Sequence, residues 1–65
     1  MAKNLKLKAA RVARDMTQQE LADAVGAARQ TINAIELGHF NPSIRLCVGI
    51  CEALGKTLND LFWEE

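Results

Sequence analysis

Residues 29–34 read Arg-Gln-Thr-Ile-Asn-Ala. On a helix, Arg29, Gln30 and Asn33 share one side, opposite Ile32 and Ile35. Their side chains suit the edges of nucleic-acid bases. An Arg matches guanine O6 and N7, and a Gln or Asn matches adenine N6 and N7. Thr31 adds a hydroxyl that donates to a phosphate or meets a thymine methyl. Ala34 is short enough to admit close approach. An ordinary solvated helix face is the plainer reading of the same residues.

Those side chains need a scaffold, and the flanking sequence supplies one. Thr17 followed three residues later by Glu20 predicts a capping box, and Leu21, Ala22 and Val25 form an apolar stripe behind it. Gly26 stops that helix by accepting a left-handed conformation. A further helix over Ala28–Leu37 follows at once, with Ile32 and Ile35 buried and Gly38 ending it. Two short helices joined by Gly26-Ala27-Ala28 meet at a large angle, with Ala22 at the crossing. The second then projects and fits a major groove, which is wide enough for one helix.

The remaining pattern completes a small helical domain. Lys6–Asp15 predicts a first helix with Leu7, Ala10 and Val12 inward, and Met1–Leu5 reads as a short extended arm. Ser43 caps a helix over Ile44–Leu54, whose broad apolar face is Ile44, Cys47, Val48, Ile50, Cys51 and Leu54. Thr57 caps a last short helix carrying Leu58, Leu61 and Phe62. The expected class is all-α, a compact five-helix domain over residues 1–65 with a helix-turn-helix. Several helices are too short to stand alone, so packing must hold them.

The composition excludes several classes. Sixty-five residues with 49% hydrophobic content make one domain, burying about 60% of its unfolded surface. No run approaches the ~20 apolar residues of a membrane span, and no signal peptide stands out, so a cytoplasmic protein is expected. Eight cations balance eight anions, but unevenly. Residues 1–45 hold seven Lys/Arg against four Asp/Glu, net +3; residues 46–65 hold one against four, net −3. A basic front suits a polyanion and an acidic end suits facing away. Lys6, Lys8 and Arg14 read as solvated. Arg45 at a helix start opposes the helix dipole, which favours a phosphate-contact role for it. Cys47 and Cys51, four apart on one helix, make poor disulfide partners and too few metal ligands, and read as small buried hydrophobes. One His and no nucleophile–base set argue against an enzyme. No cofactor, metal or small-molecule substrate is expected.

Thr17-Gln18-Gln19-Glu20-Leu21-Ala22, Gly26, Arg29-Gln30-Thr31-Ile32, Ile35-Glu36-Leu37-Gly38 and Asn41-Pro42-Ser43 form a spaced set covering about residues 6 to 62. This set resembles the Cro/Xre-type family of helix-turn-helix repressors, in particular its compact cytolysin-repressor-type members. The resemblance implies a lambda-repressor-like fold and a DNA-binding transcription regulator, a homodimer on double-stranded DNA with an inverted-repeat operator. It implies base reading by Arg29, Gln30, Asn33 and Ala34, and backbone contact by Gln18, Thr31, His39 and Arg45. Gln18 is expected to bond a phosphate and to brace the recognition helix. Arg11 is expected to pair with Glu36. Leu58, Leu61, Phe62 and Trp63 are expected at the dimer interface, and the Trp63 tail to pair with the Met1–Leu5 arm as short strands. The chain departs from the family pattern at Ala28, where Ser or Thr often caps the helix, at Leu37, often Asn, and at His39, often Lys or Arg. The rival readings are an antitoxin-like regulator whose main partner is a protein, and a protein-interaction domain on the same scaffold.

Overall fold

A computed structural model describes residues 3–63. Five helices follow one another: α1 (Leu5–Ala13), α2 (Gln18–Val25), α3 (Arg29–Leu37), α4 (Ile44–Leu54) and α5 (Leu58–Leu61). Each boundary has a local chemical cause. Thr17 and Glu20 close the capping box, with Glu20 N–H donating to Thr17 Oγ1 at 3.0 Å and Thr17 N–H to Glu20 Oε1 at 2.8 Å. Thr57 and Asp60 repeat the device on α5. Bonds from the Thr57 main chain, then its side chain, hold the Asp60 carboxyl below its ordinary range. Ser43 Oγ accepts from Leu46 N–H at 3.1 Å. Ala28, with no side-chain oxygen, leaves α3 uncapped by a side chain.

The core joins all five helices. Leu7, Leu21, Ile32, Ile50 and Leu54 are its fully buried large side chains, and Ala10, Ala22, Ile35, Cys51 and Leu61 fill between them. Met16, Val25, Leu46, Leu58 and Phe62 pack against it from the margin.

Four expectations are corrected. Helix α1 ends at Ala13 rather than Asp15, because Asp15 takes φ +56°, outside the helical region. It starts at Leu5, because Asn4 caps it with Oδ1 accepting from Leu7 N–H at 3.0 Å; the extended arm therefore loses Asn4 and Leu5. Val12 is exposed, since the neighbouring Arg11 takes the inward position one helical step away. Ile44 and Val48 are also exposed, so the buried face of α4 narrows to Cys47, Ile50, Cys51 and Leu54. Among the described residues there is no strand; Met1, Ala2, Glu64 and Glu65, on which the expected strand pairing also draws, lie outside them.

Gly49 sits inside α4, where glycine weakens a helix. A Cβ built there would meet Val25 at 3.9 Å, an ordinary contact. Gly49→Ala should therefore stabilise the fold by about 0.5–1 kcal/mol. Thermal unfolding checks it, at about 4–8 °C per kcal/mol for a domain of this size. A lower midpoint would mean that the Val25 side chain cannot accommodate the methyl.

Candidate nucleic-acid interface

The interface is built by the turn between α2 and α3. Gly26 adopts φ +72°, and Ala27 N–H donates to Ala22 O at 2.9 Å, which turns the chain sharply out of α2. Ala22 is completely buried behind the turn. A larger side chain at this crossing would push the two helices apart. At the other end Gly38 takes φ +80°, and His39 N–H reaches back to Ala34 O at 2.8 Å.

Between these stops α3 has two distinct sides. Ile32, Ile35 and Glu36 are buried. Arg29 and Gln30 are exposed, and Thr31, Asn33 and Ala34 are half-buried beside them. The expected side chains thus share the outer face. His39 and Arg45 are exposed at the loop after α3 and the start of α4. Leu37, outside the expected face, is exposed one turn beyond Asn33 and extends the same stripe. The i, i+4 spacing from Asn33 is the signal that marks it.

Buried polar bonds lock this helix in place. Arg11 Nε donates to Glu36 Oε2 at 2.7 Å and Arg11 Nη2 to Glu36 Oε1 at 3.2 Å, the expected bidentate pair. Arg11 Nη1 also donates to Met16 O at 2.7 Å, tying the α1–α2 connection to the same guanidinium. Both residues of the pair are buried. Gln18 joins them from α2. Its Nε2 donates to Glu36 Oε1 at 3.1 Å and to Asn33 Oδ1 at 3.0 Å, and its Oε1 accepts from Arg29 Nη1 at 3.3 Å. The Gln18 side chain therefore braces α3 as expected, with both amide hydrogens occupied inside the protein.

Asn4 is a bracing residue that sequence reasoning missed. Its main-chain N–H donates to Glu36 O at 2.9 Å and its Nδ2 to Leu61 O at 2.9 Å, so one residue ties the start of α1 to the ends of α3 and α5. Only its N-cap position before a helical pattern could have marked it. Two cations expected to be solvated also bond main-chain carbonyls, one at a helix end and one just beyond α5. Arg14 Nη1 donates to Leu54 O at 3.3 Å at the end of α4, and Lys6 Nζ to Trp63 O at 2.9 Å. A cation at a helix C-terminus is favourable for the dipole.

The other candidates resolve simply. Cys47 and Cys51 are free and buried, and burial pushes both thiols above their ordinary range. Among the described residues, no cluster of His, Cys, Asp or Glu is able to hold a metal, and no helix is long and apolar enough to cross a membrane. Of the expected dimer residues, Leu61 is inside the core, Leu58 and Phe62 are half-buried against it, and Trp63 is exposed.

Known proteins share this arrangement. A family described as helix-turn-helix matches residues 7–61. An uncharacterized HTH-type transcriptional regulator of Bacillus subtilis is 40% identical over 60 residues, covering 92% of this chain and 91% of its own. One from Methanocaldococcus jannaschii is 42% identical over 57 residues, covering 88% of this chain and 86% of its own. Among solved structures, the restriction-modification controller protein C.AhdI of Aeromonas hydrophila superposes with a TM-score of 0.85 at 27% identity, over 91% of this chain and 89% of that one. The match runs through the turn and both helices that carry the outer face, in a family of regulators and not of enzymes. The chain belongs to the Cro/Xre-type helix-turn-helix family of DNA-binding transcriptional regulators.

Proposed function

We propose that residues 1–65 act as a sequence-specific repressor domain that binds an inverted-repeat operator as a homodimer, in the cytoplasm. The observation that carries this reading is the outer face of α3, where Arg29 and Gln30 are exposed and Asn33 half-buried beside them, opposite a side that buries Ile32, Ile35 and Glu36. Inserted in the major groove, Arg29 and Gln30 read base edges and Ala34 lets the helix approach. Backbone contacts flank it. The free N–H groups at the start of α2 around Gln18 face one phosphate, and Thr31, His39 and Arg45 face others. Occupied promoter DNA then excludes the transcription machinery.

The dimer reading rests on exposed apolar surface near the chain's C-terminal end. Trp63 and Phe40 are 46% and 44% exposed, and a groove of about 370 Å³ runs between Leu5, Phe40, Pro42, Phe62 and Trp63. Aromatic side chains are typical interface anchors. Phe62 and Trp63 make the contact, with Leu58 and Leu61 supporting them from the core side. Two-fold symmetry places the two α3 helices in successive major grooves, about 34 Å apart.

Selection from a random duplex library at near-physiological salt tests the whole reading. Enrichment of an inverted repeat is the expected result. No enrichment, even at low salt, would overturn it and turn attention to a protein partner. On the selected operator, Gln30→Ala should cost about 1–3 kcal/mol and relax preference at one base position. Equal weakening on every sequence would remove Gln30 from base reading.

A further inference from the structure

The polar network behind α3 has a direction. Glu36, as the carboxylate partner of Arg11, only accepts hydrogen bonds, and the Arg29 guanidinium only donates. Gln18 lies between them with one donor end and one acceptor end. A single orientation satisfies both neighbours: Nε2 towards Glu36 Oε1 at 3.1 Å and Oε1 towards Arg29 Nη1 at 3.3 Å. The second hydrogen on Nε2 lies on Asn33 at 3.0 Å, and the group that receives it must be the Asn33 oxygen. The two ends of an amide are otherwise interchangeable in shape, so these charged neighbours decide the matter. Among the described residues no buried side-chain nitrogen or oxygen lacks a partner. Among the described residues the Asn33 Nδ2 has no bonding partner, so it is open to the surface.

We propose that the Glu36–Gln18 relay fixes Asn33 as a donor-only reader of the major groove. This rests on the DNA-reading role proposed for α3. With Oδ1 held against Gln18, Asn33 offers only its Nδ2 to DNA. It forgoes the two-point pairing with adenine that an unconstrained Asn makes through both ends. Its target is an acceptor: a purine N7, guanine O6 or thymine O4. Gln18 is then a positioning residue for specificity: it sets which end of Asn33 faces the bases.

The test begins with the selected operator. The base position that loses preference in Asn33→Ala is the one Asn33 reads. Base analogues placed there separate the two chemistries. Removing the acceptor (7-deazaguanine or 7-deazaadenine for a purine, or a thymine analogue lacking O4) should weaken wild-type binding about tenfold, the worth of one such contact. Removing an exocyclic amine at that base pair should leave it unchanged. Gln18→Met, of similar length and without the amide, frees the Asn33 side chain and should shift the preference toward adenine, which an unconstrained Asn pairs at both ends. Equal losses on deleting acceptor and amine would overturn the proposal while leaving DNA reading intact. The free protein provides an independent arm, by 15N-resolved exchange of the side-chain amides. The Gln18 amide protons should exchange slowly and those of Asn33 freely. Fast exchange at Gln18 would overturn the relay whatever the DNA results. Failure to enrich any operator would remove the DNA role itself, and the proposal with it.

Discussion

Replacing Glu36 with Ala is expected to destabilise the domain by about 3–5 kcal/mol, because it leaves one member of a buried ion pair without its partner. Both side chains are well shielded, at 10% exposure for Arg11 and 5% for Glu36. The loss reaches further than the pair. Arg11 would keep only the Met16 carbonyl, and the Gln18 amide would lose the acceptor that orients it. For a 65-residue chain, total stability is on the order of 3–10 kcal/mol, so this one change approaches the whole of it. Chemical denaturation of the variant checks the figure. A cost below about 1 kcal/mol would place the pair among exposed, weakly coupled ones. A joint replacement, Arg11→Met with Glu36→Leu, removes both charges in similar volume and should restore most of the stability. It does not restore the acceptor for Gln18. The double variant should therefore fold and still bind DNA, but with weakened preference at the Asn33 position. Stability and specificity part company at this site.

Ile32→Ala is expected to cost about 2–5 kcal/mol, the sum of lost burial and the cavity left in a packed core. Ile32 is fully buried in α3, directly behind the outer face. The readout is again the unfolding free energy, with DNA affinity measured on the same samples at low temperature. Folded molecules should retain the order of preference among operator variants, because Arg29, Gln30 and Asn33 are unchanged. The apparent affinity should fall only by the fraction unfolded. A reordering of preferences would show that Ile32 sets the angle of α3 in the groove as well as its stability.

These two residues illustrate different kinds of legibility. Ile32 was readable as core from its spacing to Ile35, since helical periodicity alone separates the inner from the outer face. The Arg11–Glu36 pair was readable only through the family resemblance. No local rule links residues 25 apart in the chain. Asn4, Val12 and Ile44 show where periodicity failed. At Asn4 the deciding neighbours belong to α3 and α5, and at Val12 a buried charge, Arg11, takes the inward position.

The sequence by itself determined the starts of α2, α4 and α5, the stops of α2, α3 and α4, and the turn, though not the ends of α1. Thr17 with Glu20, Ser43, Thr57 with Asp60, and the glycines at 26, 38 and 55 act within a single helical turn, through bonds and dihedral preferences that need no tertiary partner. It also determined the chemistry available on α3, because Arg29, Gln30 and Asn33 fall on one side of any helix there. Only the tertiary structure decided how that chemistry is aimed. The angle at which α2 crosses α3 brings the Gln18 amide to Asn33 and Glu36, 15 and 18 residues further along the chain. Packing around Ala22 sets that crossing, and the fixed charges of Glu36 and Arg29 then choose the orientation of every amide between them.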